Sequence, residues 1–319
     1  MVGLFAIALL CGCSNDSYEG RDWAGVKLSI QGAIGTSDGT RVTNAGNVST
    51  WDVNDAIGVY TNGNGTDFSN VMYLAKDVVG NFSTLSDIYL LTESEVSLAA
   101  YFPYKEDGDL TGGVYSFSII DEDNAYVSND FLFASTTTTR GTSTDKVDVK
   151  FLFAHKMNRL LLTLNVTDSE LNVKDGDAVA YKLNGVVTNG TFKTTDGTVT
   201  LGKTTGSMNL SGKYGKTVSI IYAPQTTTNL PLTINVGGRY YTAVLPTLAT
   251  TEAPSGVSLE YEVNIKGDGV TISLINTGID NWKPETGGSI DAGEQEPETT
   301  CDAKGDTWDE GGAIEVTEQ

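Results

Sequence analysis

Apolar residues in this chain recur at every second position, not at every third or fourth. Leu230, Leu232, Ile234 and Val236 alternate with polar or small neighbours up to Gly237-Gly238, and Tyr240, Thr242 and Val244 alternate back. Successive side chains of an extended strand point to opposite faces, so this spacing gives a ribbon with one buried face and one wet face. A glycine pair between two such runs supplies the positive φ angles of a two-residue hairpin. Leu259/Tyr261/Val263/Ile265 and Val270/Ile272/Leu274 flank Gly267-Asp268-Gly269 in the same manner. The alternation also marks Val26/Leu28/Ile30, Ile57/Val59, Val96/Leu98/Ala100/Phe102, Tyr115/Phe117/Ile119, Val147/Val149/Phe151/Phe153 and the stretch from Leu160 to Val166. No helix longer than two turns is expected, and Asp168 to Val173 is the candidate for a short one. Strands at near-regular spacing without intervening helices predict an all-β protein built of β-sandwiches.

A chain of 319 residues accommodates two domains of about 150 residues each. Thr136 to Thr144 is poor in apolar residues and reads as the interdomain linker, which divides the body into 26–144 and 145–283. Beyond it, Glu285 to Glu318 carries eleven acids against Lys304 alone, so 284–319 is expected to be a solvated, flexible acidic tail. At the other end, the apolar run from Val2 closes on Leu10-Cys11-Gly12-Cys13. It is too short to span a bilayer, which needs about 20 residues. A short apolar segment ending in Leu-x-Gly-Cys is what a lipoprotein signal peptidase cuts, although no Lys or Arg precedes it here. On that reading 1–12 is a signal peptide, Cys13 is the lipidated end, 13–25 is a polar leader, and the body sits outside the cytoplasm on a lipid anchor. An ordinary buried strand is the other reading of the same run.

Composition restricts the chemistry. A formal charge of -21 repels polyanions and argues against nucleic acid as a partner. With Cys11 removed and Cys13 lipidated, Cys301 stands alone, so no disulfide forms within the mature body. His155 is the one histidine, and parity sets it with Phe151 and Phe153 on an apolar face, which favours a packed, hydrogen-bonded ring over a catalytic base. The HExxH pattern is absent from the sequence. Asp107-Gly-Asp109 and Asp121 to Asn124 are solvated turns or calcium ligands, the turn reading being favoured. No enzyme activity, metal or cofactor is predicted. Trp51, Trp282 and Tyr101-Phe-Pro-Tyr104 either fill a core or form an exposed platform for glycans, with Tyr101 and Tyr104 as the contacts.

The order of several short segments resembles one family. Trp51-Asp-Val-Asn-Asp-Ala-Ile-Gly-Val-Tyr60, Ala100-Tyr-Phe-Pro-Tyr104, Asn129-Asp-Phe-Leu-Phe-Ala134 and Phe151-Leu-Phe-Ala-His-Lys-Met-Asn-Arg-Leu160 are followed by Gly190-Thr-Phe192, Tyr222-Ala-Pro-Gln225 and Ile279-Asp-Asn-Trp282. Together they resemble the fimbrillin family of lipoprotein-derived type V pilins, over Thr40 to Trp282. The resemblance implies two tandem transthyretin-like β-sandwiches and a structural role in cell-surface fimbriae, as stalk, tip or accessory subunit. It also implies export to the outer membrane and cleavage by an Arg-specific protease in the loop after the first strand. Carried over by position, Arg41 is the cleavage candidate and Val42 the new N-terminus; Val26 to Ile34 would leave and a neighbouring subunit's strand would fill the groove. A glycan-binding surface lipoprotein on the same scaffold is the alternative.

Overall fold

The computed structural model describes residues 25–35, 50–119, 129–143, 145–167, 171–226, 228–247, 255–266, 269–276, 283–284 and 290–292. The first half contributes β1 (Val26–Ile34), β2 (Ala56–Asn62), β3 (Val71–Ala75), β4 (Phe82–Ser83), β5 (Tyr89–Leu90), β6 (Val96–Phe102), β7 (Leu110–Thr111), β8 (Val114–Ser118), β9 (Leu132–Thr138) and β10 (Lys146–His155). The second contributes β11 (Asn158–Val166), β12 (Ala178–Val187), β13 (Asn189–Lys193), β14 (Val199–Leu201), β15 (Thr205–Lys213), β16 (Val218–Tyr222), β17 (Thr228–Val236), β18 (Arg239–Thr247), β19 (Val257–Lys266), β20 (Gly269–Asn276), β21 (Lys283–Pro284) and β22 (Ile290–Ala292). The protein is all-β, as the period-two pattern predicts.

Eight strands form the first sheet in the order β4-β3-β2-β6-β9-β10-β1-β5. Strand β10 shows why they do so: it reads exposed-buried without a break, with Val147, Val149, Phe151 and Phe153 inward. The sheet curls until β1 meets the 80–90 segment. The Gly32 amide donates to the Gly80 carbonyl (2.9 Å), the Leu28 amide donates to the Ile88 carbonyl (2.9 Å), and Gln31 bridges to Asn81. The inward residues of β1, β2, β3, β6 and β10 therefore share one core. Trp51 lies in it, with the rings of Phe82, Phe102 and Phe153 edge-on to the indole at 5.1, 5.6 and 5.1 Å.

The second body packs β16-β11-β19-β20-β22, with β21 against β19, over β15-β12-β17-β18. Leu160, Leu162 and Leu164 from one sheet meet Tyr181, Leu183, Leu232 and Ile234 from the other in a single core, which is a β-sandwich. The predicted hairpin at Gly237-Gly238 is present: Val236 pairs with Arg239, and the glycines sit at φ +60° and +77°. Strands β19 and β20 pair from Lys266 and Gly269 outward.

Strand β10 runs parallel to β1 from Lys27↔Lys146 to Ile34↔Phe153 and adds Val147, Val149, Phe151 and Phe153 to the first core. Met157 packs in the second core, together with Tyr101, Phe117, Ile119, Phe131 and Phe133 from the first half. The same logic recurs there, where β11 pairs in parallel with the late strand β19. Within residues 284–319, Ile290–Ala292 adds to the edge of β20.

The bodies interlock. Strand β8, which precedes β10 in the chain, pairs with β13 of the second half, in the small sheet β14-β13-β8-β7. Phe131 stacks on Phe192 at 4.7 Å with 6° between planes, and the Tyr60 and Thr194 hydroxyls are 2.8 Å apart.

Candidate functional site

The part of the fold with the most to say about function is the slot that holds β1. Val26, Leu28 and Ile30 are each at most 2% exposed, and Gly32 follows them on the same face. Lys27, Ser29 and Gln31 point the other way. Lys27 pairs with Asp87 at 2.7 Å, and that hydrogen bond raises the ammonium's pKa. Across the parallel ladder, hydrogen bonds from Ser29 and Lys146 hold the Asp148 carboxyl below its usual range. With β10 on one side and the 80–90 segment on the other, β1 is an interior strand. Its backbone and its side chains are both committed to neighbours.

Gly32 is the tightest point of the slot. Its carbonyl accepts a 2.7 Å hydrogen bond from the buried Trp51 Nε1. A methyl placed on Gly32 would stand 2.8 Å from Cε2 of Phe153 and 3.0 Å from Cε2 of Phe82. Its φ is not in the left-handed region, so space and not backbone freedom requires glycine here. Gly80 needs both: its φ is +82°, and a Cβ there would lie 1.9 Å from the Gly32 carbonyl. Asp77 fixes the turn that carries Gly80. Its carboxylate accepts from the Val79 and Asn81 amides and from Asn81 Nδ2, and these bonds lower its pKa.

Other candidates from the sequence fall in different places. Cys13, Arg41, Val42, Trp282, Cys301 and Asp121 to Asn124 lie outside the described residues. Tyr101 is fully buried between Tyr60 and Phe192. Its hydroxyl donates to Asn70 Oδ1 (2.8 Å) and accepts from the Lys105 amide (3.1 Å), and burial drives its pKa far above the ordinary phenol value. A ring in that position offers no face to a sugar, which corrects the platform expectation for Tyr101. Tyr104 is half-buried, and Trp51 is only 2% exposed. His155 is buried with Nδ1 2.9 Å from Asp130 Oδ1, a packed and hydrogen-bonded ring. Asp107 Oδ1 accepts from Asn70 Nδ2 at 2.8 Å. Among the described residues no cluster of three metal-ligating side chains occurs. Nor is any helix among them long and apolar enough to cross a membrane.

The sequence reading missed the pairing of Gly32 with Trp51. The signal was available, because a glycine within the alternating run Val26 to Ile34 has no strand propensity and calls for a packing reason.

Comparison with known proteins gives a consistent result. The family described as fimbrillin-like matches residues 40–282. A curated relative, described as the fimbrium subunit Fim1C of Bacteroides uniformis, is 26% identical over 299 residues, 89% of this chain and 95% of the relative. A solved structure described as a cell adhesion protein of Bacteroides ovatus superposes with a TM-score of 0.63 at 24% identity, covering 82% of this chain and 100% of that one. Another cell adhesion protein, from Bacteroides uniformis, gives 0.62 at 22% identity, covering 79% and 96%. None of the three is described as an enzyme.

Proposed function

Because the chain belongs to the fimbrillin-like family, we propose that it is a structural subunit of cell-surface fimbriae, carried to the outer membrane as a lipoprotein acylated at Cys13. Cleavage by an Arg-specific protease between Arg41 and Val42 then frees β1, and an extended strand of a neighbouring subunit takes its place. The observation that carries this reading is the setting of β1: an interior strand with three buried side chains, followed directly by the segment that contains Arg41. Loss of β1 strips β10 of its ladder from Lys146 to Phe153 and bares the first core. Unpaired backbone beside apolar surface is what strand addition satisfies. A glycan-binding role through Tyr101 and Tyr104 draws no support from a buried phenol.

The test is an N-terminal determination on the surface-assembled protein, with gel analysis after Arg-specific proteolysis. An end at Val42 and detergent-resistant ladders are expected. A lipidated Cys13 end on the polymerised form, or cleavage without oligomers, refutes the strand-replacement part.

A further inference from the structure

The β1 slot has a fixed reading frame, and we infer that it selects its replacement strand by a glycine. This rests on the strand-replacement reading above and adds what the incoming strand must contain. Three positions of the slot accept branched apolar side chains, those now filled by Val26, Leu28 and Ile30. The fourth, two residues on, is closed to any side chain by Phe153 and Phe82, which leave a Cβ at Gly32 2.8 and 3.0 Å from ring carbons. Neither ring is a loose end. Phe153 is 0% exposed, and both stand edge-on to Trp51. A ring wedged among rings cannot swing aside for a methyl without disturbing the whole core.

The fourth position also reads backbone. Trp51 Nε1 is buried and takes its acceptor from the Gly32 carbonyl, while the Gly80 carbonyl takes its donor from the Gly32 amide. An incoming strand must therefore offer both groups at one residue, which excludes proline there as well as every residue with a Cβ. Parallel to β10, the required order is apolar-x-apolar-x-apolar-x-Gly. Residues 284–319 contain no segment of that form. The nearest alternation, Gly312-x-Ile314-x-Val316, runs in the opposite sense and then places Glu318 where Val26 sits. The occupant is accordingly a segment of a neighbouring subunit that carries this spacing, and not residues 284–319.

The experiment uses the full chain with a sequence-specific protease site inserted between Gly35 and Thr50, so that nicking does not depend on Arg41. The nicked protein is incubated with fluorescent peptides in mild urea, and capture is read by gel filtration. The peptides are the β1 sequence Val26–Ile34, its Gly32→Ala and Gly32→Val forms, and the segment 311–319. Capture of the β1 peptide with at least about a tenfold loss for Gly32→Ala, and more for Gly32→Val, is expected, the range that overpacking a rigid core produces. Equal capture of all three β1 peptides overturns the glycine rule and leaves strand replacement standing. Capture of 311–319 as tightly as the β1 peptide overturns the required spacing. If no peptide is captured, strand replacement itself fails and this inference falls with it.

Discussion

Leu28→Ala tests whether β1 is held by its buried face. Leu28 is 1% exposed, its amide donates to the Ile88 carbonyl, and it pairs with Val147. Truncation leaves that backbone pairing untouched, so the effect reports the side chain. Removing three carbon groups from a buried site costs about 2.4 kcal/mol in transfer terms, at about 0.8 kcal/mol each. A cavity term adds to this, and buried Leu→Ala changes span about 2–5 kcal/mol in all. The shared core contains Trp51, Phe82 and Phe153 locked edge to face, so collapse into the void is limited and about 3–4 kcal/mol is expected. At a urea slope of about 2 kcal/mol/M, the midpoint falls by roughly 1.5–2 M. Urea titration followed by tryptophan fluorescence measures it. Gln31→Ala, on the exposed face of the same strand, is the control and should stay within about 0.5 kcal/mol. A Leu28→Ala shift under about 0.3 M, or one equal to that of Gln31→Ala, would refute the claim that the inward face anchors β1.

Three further outcomes follow from the contacts described. Phe131→Ala removes the ring stacked on Phe192 at the junction of the two bodies and should cost about 3–5 kcal/mol in the same titration; an unchanged midpoint would mean the bodies do not stabilise one another there. Tyr101→Phe strands Asn70 Oδ1 and the Lys105 amide without their phenol partner, with a loss of about 1–3 kcal/mol and no change on a glycan array. Asp77→Asn tests the turn that carries Gly80. The folded pKa of Asp77 is depressed, so its contribution is present above the unfolded carboxylate value and is lost as pH falls through the folded one. The wild-type advantage in thermal midpoint should be full at neutral pH, begin to fall near about pH 4 and disappear only below the depressed folded pKa; an advantage that persists unchanged through that range would place the effect elsewhere.

Parity was sufficient to read much of this protein. Val147, Val149, Phe151 and Phe153 announce a strand, and His155 was placed with them on the apolar face, where the structure has it. Gly237-Gly238 announced its hairpin for an equally local reason, since adjacent positive φ angles fit one turn type. The order of short segments from Trp51 onward pointed to the family whose model matches residues 40–282.

What the sequence alone could not decide was which strand meets which. Strand alternation states that a face is buried but not against whom, and β1 finds β10 from more than a hundred residues away. That pairing put the inward residues of β10 into the first core. It also made Gly32 the choke point of the slot, because Phe153 and Trp51 arrive there from other parts of the chain. Tyr101 went the same way: its segment is consistent with a surface platform or a core, and the packing of Tyr60 and of Phe192 from the second half against its ring buries it. Side-chain period is set by local backbone geometry and is therefore written in the sequence. Register and neighbours are set by long-range packing, which no local pattern encodes.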